Sequence, residues 1–244
     1  MQKLLYLLCA AGLLTGAAAA EPITVFAASS LREAVEELAE DVEAATGADV
    51  VTAYAASSAL ARQVALGAPA DVVLLADRDW ADWLVSEGVV SQAQDFASNR
   101  LVLLTRDGQI VDDMSEFSDI LGNGLLAMAQ IEAVPAGRYG REALGELGLW
   151  STLEARVIQA ANVRAALRFV DRGEAPYGIG YASDLVAFPT LVEAYAFAPD
   201  SHIPITYAGA ALTTDGAAMM ALVLSPDGQA VLARWGFLPP PEGS

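Results

Sequence analysis

A chain of 244 residues can form one large domain or two of ordinary size, and 55% hydrophobic against 18% charged residues supplies a real core and excludes disorder as the main state. The formal charge of −18, from 31 acids against 13 basic residues, repels phosphate backbones and argues against a nucleic-acid partner. One histidine and one cysteine cannot build a zinc site of the usual kind.

The chain opens with an address. Lys3 gives a short positive start, residues 4–14 form an apolar run too short to span a bilayer, and Ala18-Ala19-Ala20 offers small residues before Glu21-Pro22. This pattern predicts a secretory signal peptide over residues 1–20, cut after Ala20. Cys9 leaves with it, and a lipoprotein role is disfavoured because Leu8 stands where a small residue is needed. Lys3 is the only lysine, so the mature chain carries 12 arginines against 31 acids, or −19. No later segment is long and apolar enough for a membrane helix. The expected product is soluble and periplasmic.

Beyond the signal, strands and helices alternate. Residues 23–27 read as a buried strand, and residues 31–45 as a helix with Leu31, Val35, Leu38 and Val42 at helical spacing, ending at Gly47. A strand over 49–54, a helix over 59–66, a strand over 71–75 and a helix over 80–87 follow. Further strands are expected at 101–105, 125–129 and 177–181. Helices are expected at 137–147, 163–171, 216–224 and 228–235. The acidic stretch 107–124, with three glycines, reads as an irregular connection. Such alternation predicts an α/β fold with largely parallel sheets.

Nucleophilic chemistry has little support. A serine hydrolase needs a histidine base, and no G-x-S-x-G elbow is present. His202 follows Pro199-Asp200-Ser201 in a turn-like stretch and reads as a solvated loop residue. No Gly-rich phosphate loop appears; Gly178 and Gly180 lie in a strand and mark close backbone approach. The helix starts are more telling. Ser30-Leu31-Arg32-Glu33 fits a capping box, Ser57-Ser58 opens a helix, Pro135 suits a first turn, and Asn162 suits an N-cap. Each cap alone is explained by capping. Four such ends turned to one cleft would hold an anion without a basic side chain.

The segment Ile23-Thr24-Val25-Phe26-Ala27-Ala28-Ser29-Ser30-Leu31 resembles the opening of the periplasmic molybdate-binding proteins of ABC importers. Matching blocks follow in that family's order: Tyr54 to Gln63, Gly67 to Val72, Ala76-Asp77, Val134 to Tyr139, Asn162 to Leu167, Glu174 to Asp184, and Arg234 to Phe237. They cover essentially the whole mature chain. The resemblance implies a non-enzymatic, two-lobe periplasmic binding protein of type II-like fold, each lobe a mixed, mostly parallel sheet flanked by helices. Lobe 1 would comprise residues 21–98 and 208–244, and lobe 2 residues 99–207. The implied ligand is molybdate, with tungstate beside it, and the implied partner is an inner-membrane ABC permease that a monomer would load. No cofactor or cation site is implied. By motif, Ser30 and Ser57 correspond to hydroxyl and backbone donors of the first lobe, Ala136 and Val163 to backbone donors of the second, and Tyr181 to a phenolic donor.

One departure is Ala129-Gln130-Ile131, where relatives commonly carry Gly-Asp-Pro; it would reshape the second-lobe wall near Ala136. Arg32, Arg62 and Arg164 each follow a proposed donor closely and read as solvated helix arginines. A sulfate or other tetrahedral-oxyanion carrier keeps the fold and changes the ligand. A more distant alternative, an exported hydrolase using Ser30 or Ser57, needs His202 beside one of them.

Overall fold

The structure, a computed structural model, describes residues 21–107 and 110–241. The signal peptide expected over residues 1–20, with Lys3, Cys9 and the cut after Ala20, lies outside the described residues.

The first sheet draws on β1 (Ile23–Ala28), β2 (Val50–Ala55), β3 (Val72–Leu75) and β4 (Gln94–Ser98), interleaved with α1 (Arg32–Thr46), α2 (Ser57–Ala65) and α3 (Arg78–Ser86). The second is built from β5 (Leu101–Thr105), β6 (Leu126–Ala129), β7 (Val157–Ala160), β8 (Tyr177–Tyr181) and β9 (Val192–Ala196). Its helices are α4 (Phe117–Leu121), α5 (Pro135–Glu146), α6 (Trp150–Leu153), α7 (Val163–Asp171) and α8 (Asp184–Ala187). The chain then returns to the first sheet with β10 (Thr206–Ala211) and closes with α9 (Thr214–Leu224) and α10 (Pro226–Arg234). The sheet orders are β2-β1-β3-β10-β4 and β7-β6-β8-β5-β9.

Central strands are apolar on both faces because helices cover both. Along β1, Val25 and Ala27 join a core with Leu31, Val35 and Leu38, whereas Phe26 joins Leu60 and Leu84 on the other side. Along β3, Val72 and Leu74 divide from Val73 and Leu75 in the same way. The α1 helix stops at Gly47, whose φ of 72° lets its N–H reach back to the Glu43 carbonyl. In β8, a Cβ on Gly178 would lie 2.7 Å from Val170 and one on Gly180 2.9 Å from Leu167, so the two glycines admit α7 close against the strand.

Both sheets are mixed, as the resemblance implies, with parallel and antiparallel pairings in equal number rather than a parallel majority. In the first, β1 runs parallel to β2 and β3, but β10 is antiparallel to both β3 and β4. In the second, β6 is parallel to β7 and β8, but β5 is antiparallel to β8 and β9. The antiparallel strands are those next to the crossings between sheets. A strand arriving from the other lobe is not preceded by a helical crossover within its own sheet, so nothing obliges it to run parallel. The chain leaves the first sheet after Ser98 and re-enters it at Thr206. Thr206 and Tyr207, which the expected boundary put in lobe 2, therefore pair with Ser98 and Ala97 of the first sheet. The stretch 107–124 is not wholly irregular, since it contains a 3-10 turn at Met114–Glu116 and then α4.

Candidate functional site

Ser30, Ser57, Ala136, Val163 and Tyr181 all line one small cavity between the two sheets, about 200 Å³ counted out to its mouth. The remaining wall is mostly alanine, with Ser29, Val134 and Pro135, and among the described residues no acidic or basic side chain lines it.

Four chain turns bring four of these residues together beside Tyr181, the last residue of β8. A 3-10 turn, Ser29–Leu31, follows β1, and α2, α5 and α7 begin at Ser57, Pro135 and Val163. The hydrogen bonds of α2 and α5 start with the N–H groups of Ala59 and Gly137, and Ala165 is the first donor used in α7. The N–H groups of Ser57, Ala136 and Val163 precede those ladders. Pro135 occupies the first turn of α5, where its missing donor costs nothing. Gly137 is required there: a Cβ would lie 2.4 Å from the carbonyls of Ala129 and Gln130, at the end of β6.

Two of the expected caps have other uses. Asn162 does cap α7, its Oδ1 accepting from Ala165 N at 2.9 Å. Ser30 makes no cap; its hydroxyl lies 3.1 Å from the Tyr207 hydroxyl. Ser57 also makes none, because its Oγ accepts the Ala76 N–H at 2.9 Å. Tertiary partners outcompete the local cap at both serines. Tyr181 is buried, and among the described residues its hydroxyl has no hydrogen-bond partner. Burial pushes that phenol well above its usual pKa, so it keeps its proton and stays a donor.

Charged groups stand just outside the cavity and tie its two walls. Arg164 is not solvated, as its sequence position suggested, but only 11% exposed. It donates to Glu33 at 2.7 Å and to the Ser30 carbonyl at 3.2 Å, both in the first lobe, and sits 2.8 Å from Asp184 in its own. Arg138 bonds Asp77 at 3.0 Å and Asp79 at 2.8 Å across the gap, and the Trp80 indole donates to the Ala133 carbonyl at 3.1 Å. Burial raises the carboxyl pKa values of Asp77 and Asp184, opposed by Arg138 and Arg164 respectively. Arg32 and Arg62 lie over the rings of Tyr54 and Trp80, at 4.0 and 4.9 Å from the centroids.

His202 is half-buried rather than freely solvated. Its ring lies 5.8 Å from that of Tyr139, and its Nδ1 is 2.7 Å from the Ile203 carbonyl. It lines a different cavity, beside Asn99, Arg100 and Phe197 at the crossings. Sequence reasoning did not single out Asn99, Tyr207, Asp77 or Arg138 as site residues. Asp77 carried a local signal, as the N-cap of α3 accepting from Trp80 N. Tyr207 carried none, since it meets Ser30 across 177 positions of chain.

A family model described as bacterial extracellular solute-binding protein matches residues 23–238. The chain is 40% identical to the molybdate-binding protein ModA of Escherichia coli (strain K12) over 192 residues, 76% of this chain and 75% of that one. Its fold is similar to the Azotobacter vinelandii periplasmic molybdate-binding protein, with a TM-score of 0.81 at 23% identity over 90% of this chain and all of the other. It is also similar in fold to the sulfate-binding protein SubI of Mycobacterium tuberculosis H37Rv, at a TM-score of 0.75 and 18% identity over 90% and 87% of the two chains.

Proposed function

The chain belongs to the bacterial extracellular solute-binding protein family, and on that premise we propose that it captures molybdate between its lobes and delivers it to an ABC permease. The observation that carries the ligand class is the Tyr181 hydroxyl, a protonated donor buried without a partner in the wall of a cavity free of charged side chains. A buried donor without an acceptor costs about 1–3 kcal/mol, which a ligand oxygen would recover. The site residues of this reading are Ser30 and Ser57 through hydroxyl and backbone, Ala136 and Val163 through backbone N–H, and Tyr181 through its phenol.

A tetrahedral oxyanion offers only acceptors, and neutral N–H and O–H groups can satisfy all of them in a dry cleft. A protonated anion brings an O–H for which such a site has no acceptor, so unprotonated dianions are favoured. Among these, cavity size decides. Tungstate, close to molybdate in size, should bind with it, while the smaller sulfate leaves donors stretched. The identity to ModA favours molybdate over the sulfate-carrier reading, which shares only the fold. The hydrolase alternative lacks a base, because His202 lines another cavity than Ser30 and Ser57. The protein is read as a monomer without enzymatic activity, cofactor or nucleic-acid partner.

Calorimetric titration of the purified protein with molybdate, tungstate and sulfate tests the assignment. Comparable tight binding of the first two with weak sulfate binding is expected. Sulfate binding without molybdate binding would transfer the protein to the sulfate carriers, and silence with all three would sink the reading. Export is tested by intact mass: periplasmic material should correspond to residues 21–244, and retention of Cys9 would refute the cut after Ala20.

A further inference from the structure

We infer that Tyr207, held by Asn99, is a positioning residue that fixes the Ser30 hydroxyl as a donor to the ligand and so enforces selection for an unprotonated oxyanion. The inference rests on the molybdate reading and adds to it residues that do not line the cavity.

The direction of each hydrogen bond follows by elimination. The Asn99 Oδ1 accepts the N–H of Arg100 at 3.0 Å and that of Ser183 at 3.4 Å, so its amide nitrogen faces the other way. That nitrogen lies 2.8 Å from the Ser183 hydroxyl and 3.4 Å from the Tyr207 hydroxyl, and it can only donate. Tyr207 therefore receives from Asn99 and cannot return its own proton there. Among the described residues, the other partner of its hydroxyl is Ser30 Oγ at 3.1 Å, so the phenolic proton goes to Ser30. Ser30 Oγ accepts, and among the described residues its own proton has no partner, so it is left for the cavity that Ser30 lines.

Ser57 is polarised in the same sense by a different device, because its Oγ accepts the Ala76 N–H. Both serines thus have a lone pair taken by a buried donor, leaving O–H for the ligand. Tyr207 is well placed for this. Its ring is fully buried among those of Phe96, Tyr181 and Phe237, and burial raises its pKa, which keeps the proton on the oxygen. Asn99 lies between β4 and β5, and Tyr207 at the start of β10. Both crossings between the lobes therefore take part in setting the donor.

The test is a double-mutant cycle read as molybdate Kd. Tyr207→Phe keeps the ring packing and removes the proton given to Ser30. It should raise Kd about tenfold in the parent and less than about twofold in a Ser30→Ala background, because the effect runs through that hydroxyl. Equal losses in both backgrounds would show a packing role and overturn the inference. Asn99→Asp gives a second cycle should Tyr207→Phe fold poorly. A carboxylate at 99 draws the Tyr207 proton away from Ser30 and turns a serine lone pair toward the ligand. Its loss of affinity should shrink at least roughly tenfold when Ser30 is alanine, leaving only the effect of the added charge. Undiminished loss would overturn the inference. Failure of the unaltered protein to bind molybdate is a separate result, and it would remove the functional reading on which the proposal stands.

Discussion

Ser30 and Ser57 occupy equivalent places, each just after a strand of the first sheet and each at the start of a helical turn. Their substitution should affect binding alike and stability differently. Ser30→Ala and Ser57→Ala should each weaken molybdate binding by roughly 1.5–3 kcal/mol, the range for hydrogen bonds to a charged group, measured by titration. Neither serine caps a helix through its side chain, so no cap is lost. Ser57→Ala instead leaves the Ala76 N–H buried without its acceptor, at about 1–3 kcal/mol, read by chemical denaturation without ligand. Asn162→Ala removes a real cap and should cost about 1 kcal/mol.

Asp77 gives a pH test at the same scale. Burial holds its folded pKa above the unfolded value, with Arg138 opposing. The folded chain then binds that proton more readily, so the contribution favours folding in acid. It is lost as pH rises from the ordinary carboxylate range through the raised value. Asp77→Asn can still accept from Trp80 N and should flatten the change in melting temperature between about pH 4 and about pH 7. An unchanged slope would show that Asp77 is not the group responsible.

Between elements, the two lobes are tied by pairs that join their helices. Arg164, in the first turn of α7, binds Glu33 in the first turn of α1, while Arg138 of α5 reaches Asp77 and Asp79 around the start of α3. Glu33→Gln weakens the first pair but leaves Arg164 beside Asp184. Molybdate dissociation should then quicken by up to about fivefold, with little change in the stability of the ligand-free chain, as stopped-flow and denaturation would show. Arg164→Met should behave differently. Asp184 is fully buried, and stripping its counter-charge should cost about 3–5 kcal/mol of folding stability. Similar stability losses in the two variants would contradict this division of labour.

For the whole molecule, the difficulty is a dianionic ligand and a chain whose formal charge is −18. Long-range repulsion slows encounter, so the short-range dipoles of the helix ends must supply the attraction. Ligand that binds only the folded chain adds stability of about 4 kcal/mol at a thousandfold excess over Kd. Thermal melts should therefore rise by similar amounts with molybdate and tungstate, and little with sulfate or phosphate. Because the cavity donors are neutral, added NaCl should erode the molybdate shift only weakly; steep erosion would point to an arginine-based site.

The alternation of apolar runs determined the α/β class and most of the helices, since burial of a periodic face is a local property of sequence. Motif order marked Ser30, Ser57, Ala136, Val163 and Tyr181, and the fold lines one cavity with all five. Strands β4, β7, β9 and β10 went unread because they carry polar, alanine or glycine residues and gain their stability from partner strands distant in sequence. Capping at Ser30 and Ser57 was read locally and decided otherwise by Tyr207 and Ala76. Arg164 read as solvated because helical position says nothing of a glutamate 131 residues away. The sequence by itself determined which donors the chain possesses, and that none of the site residues need be charged. Which way those donors point, and what clamps them together, was decided only by tertiary structure, because a hydrogen bond takes its direction from a partner that chain separation hides.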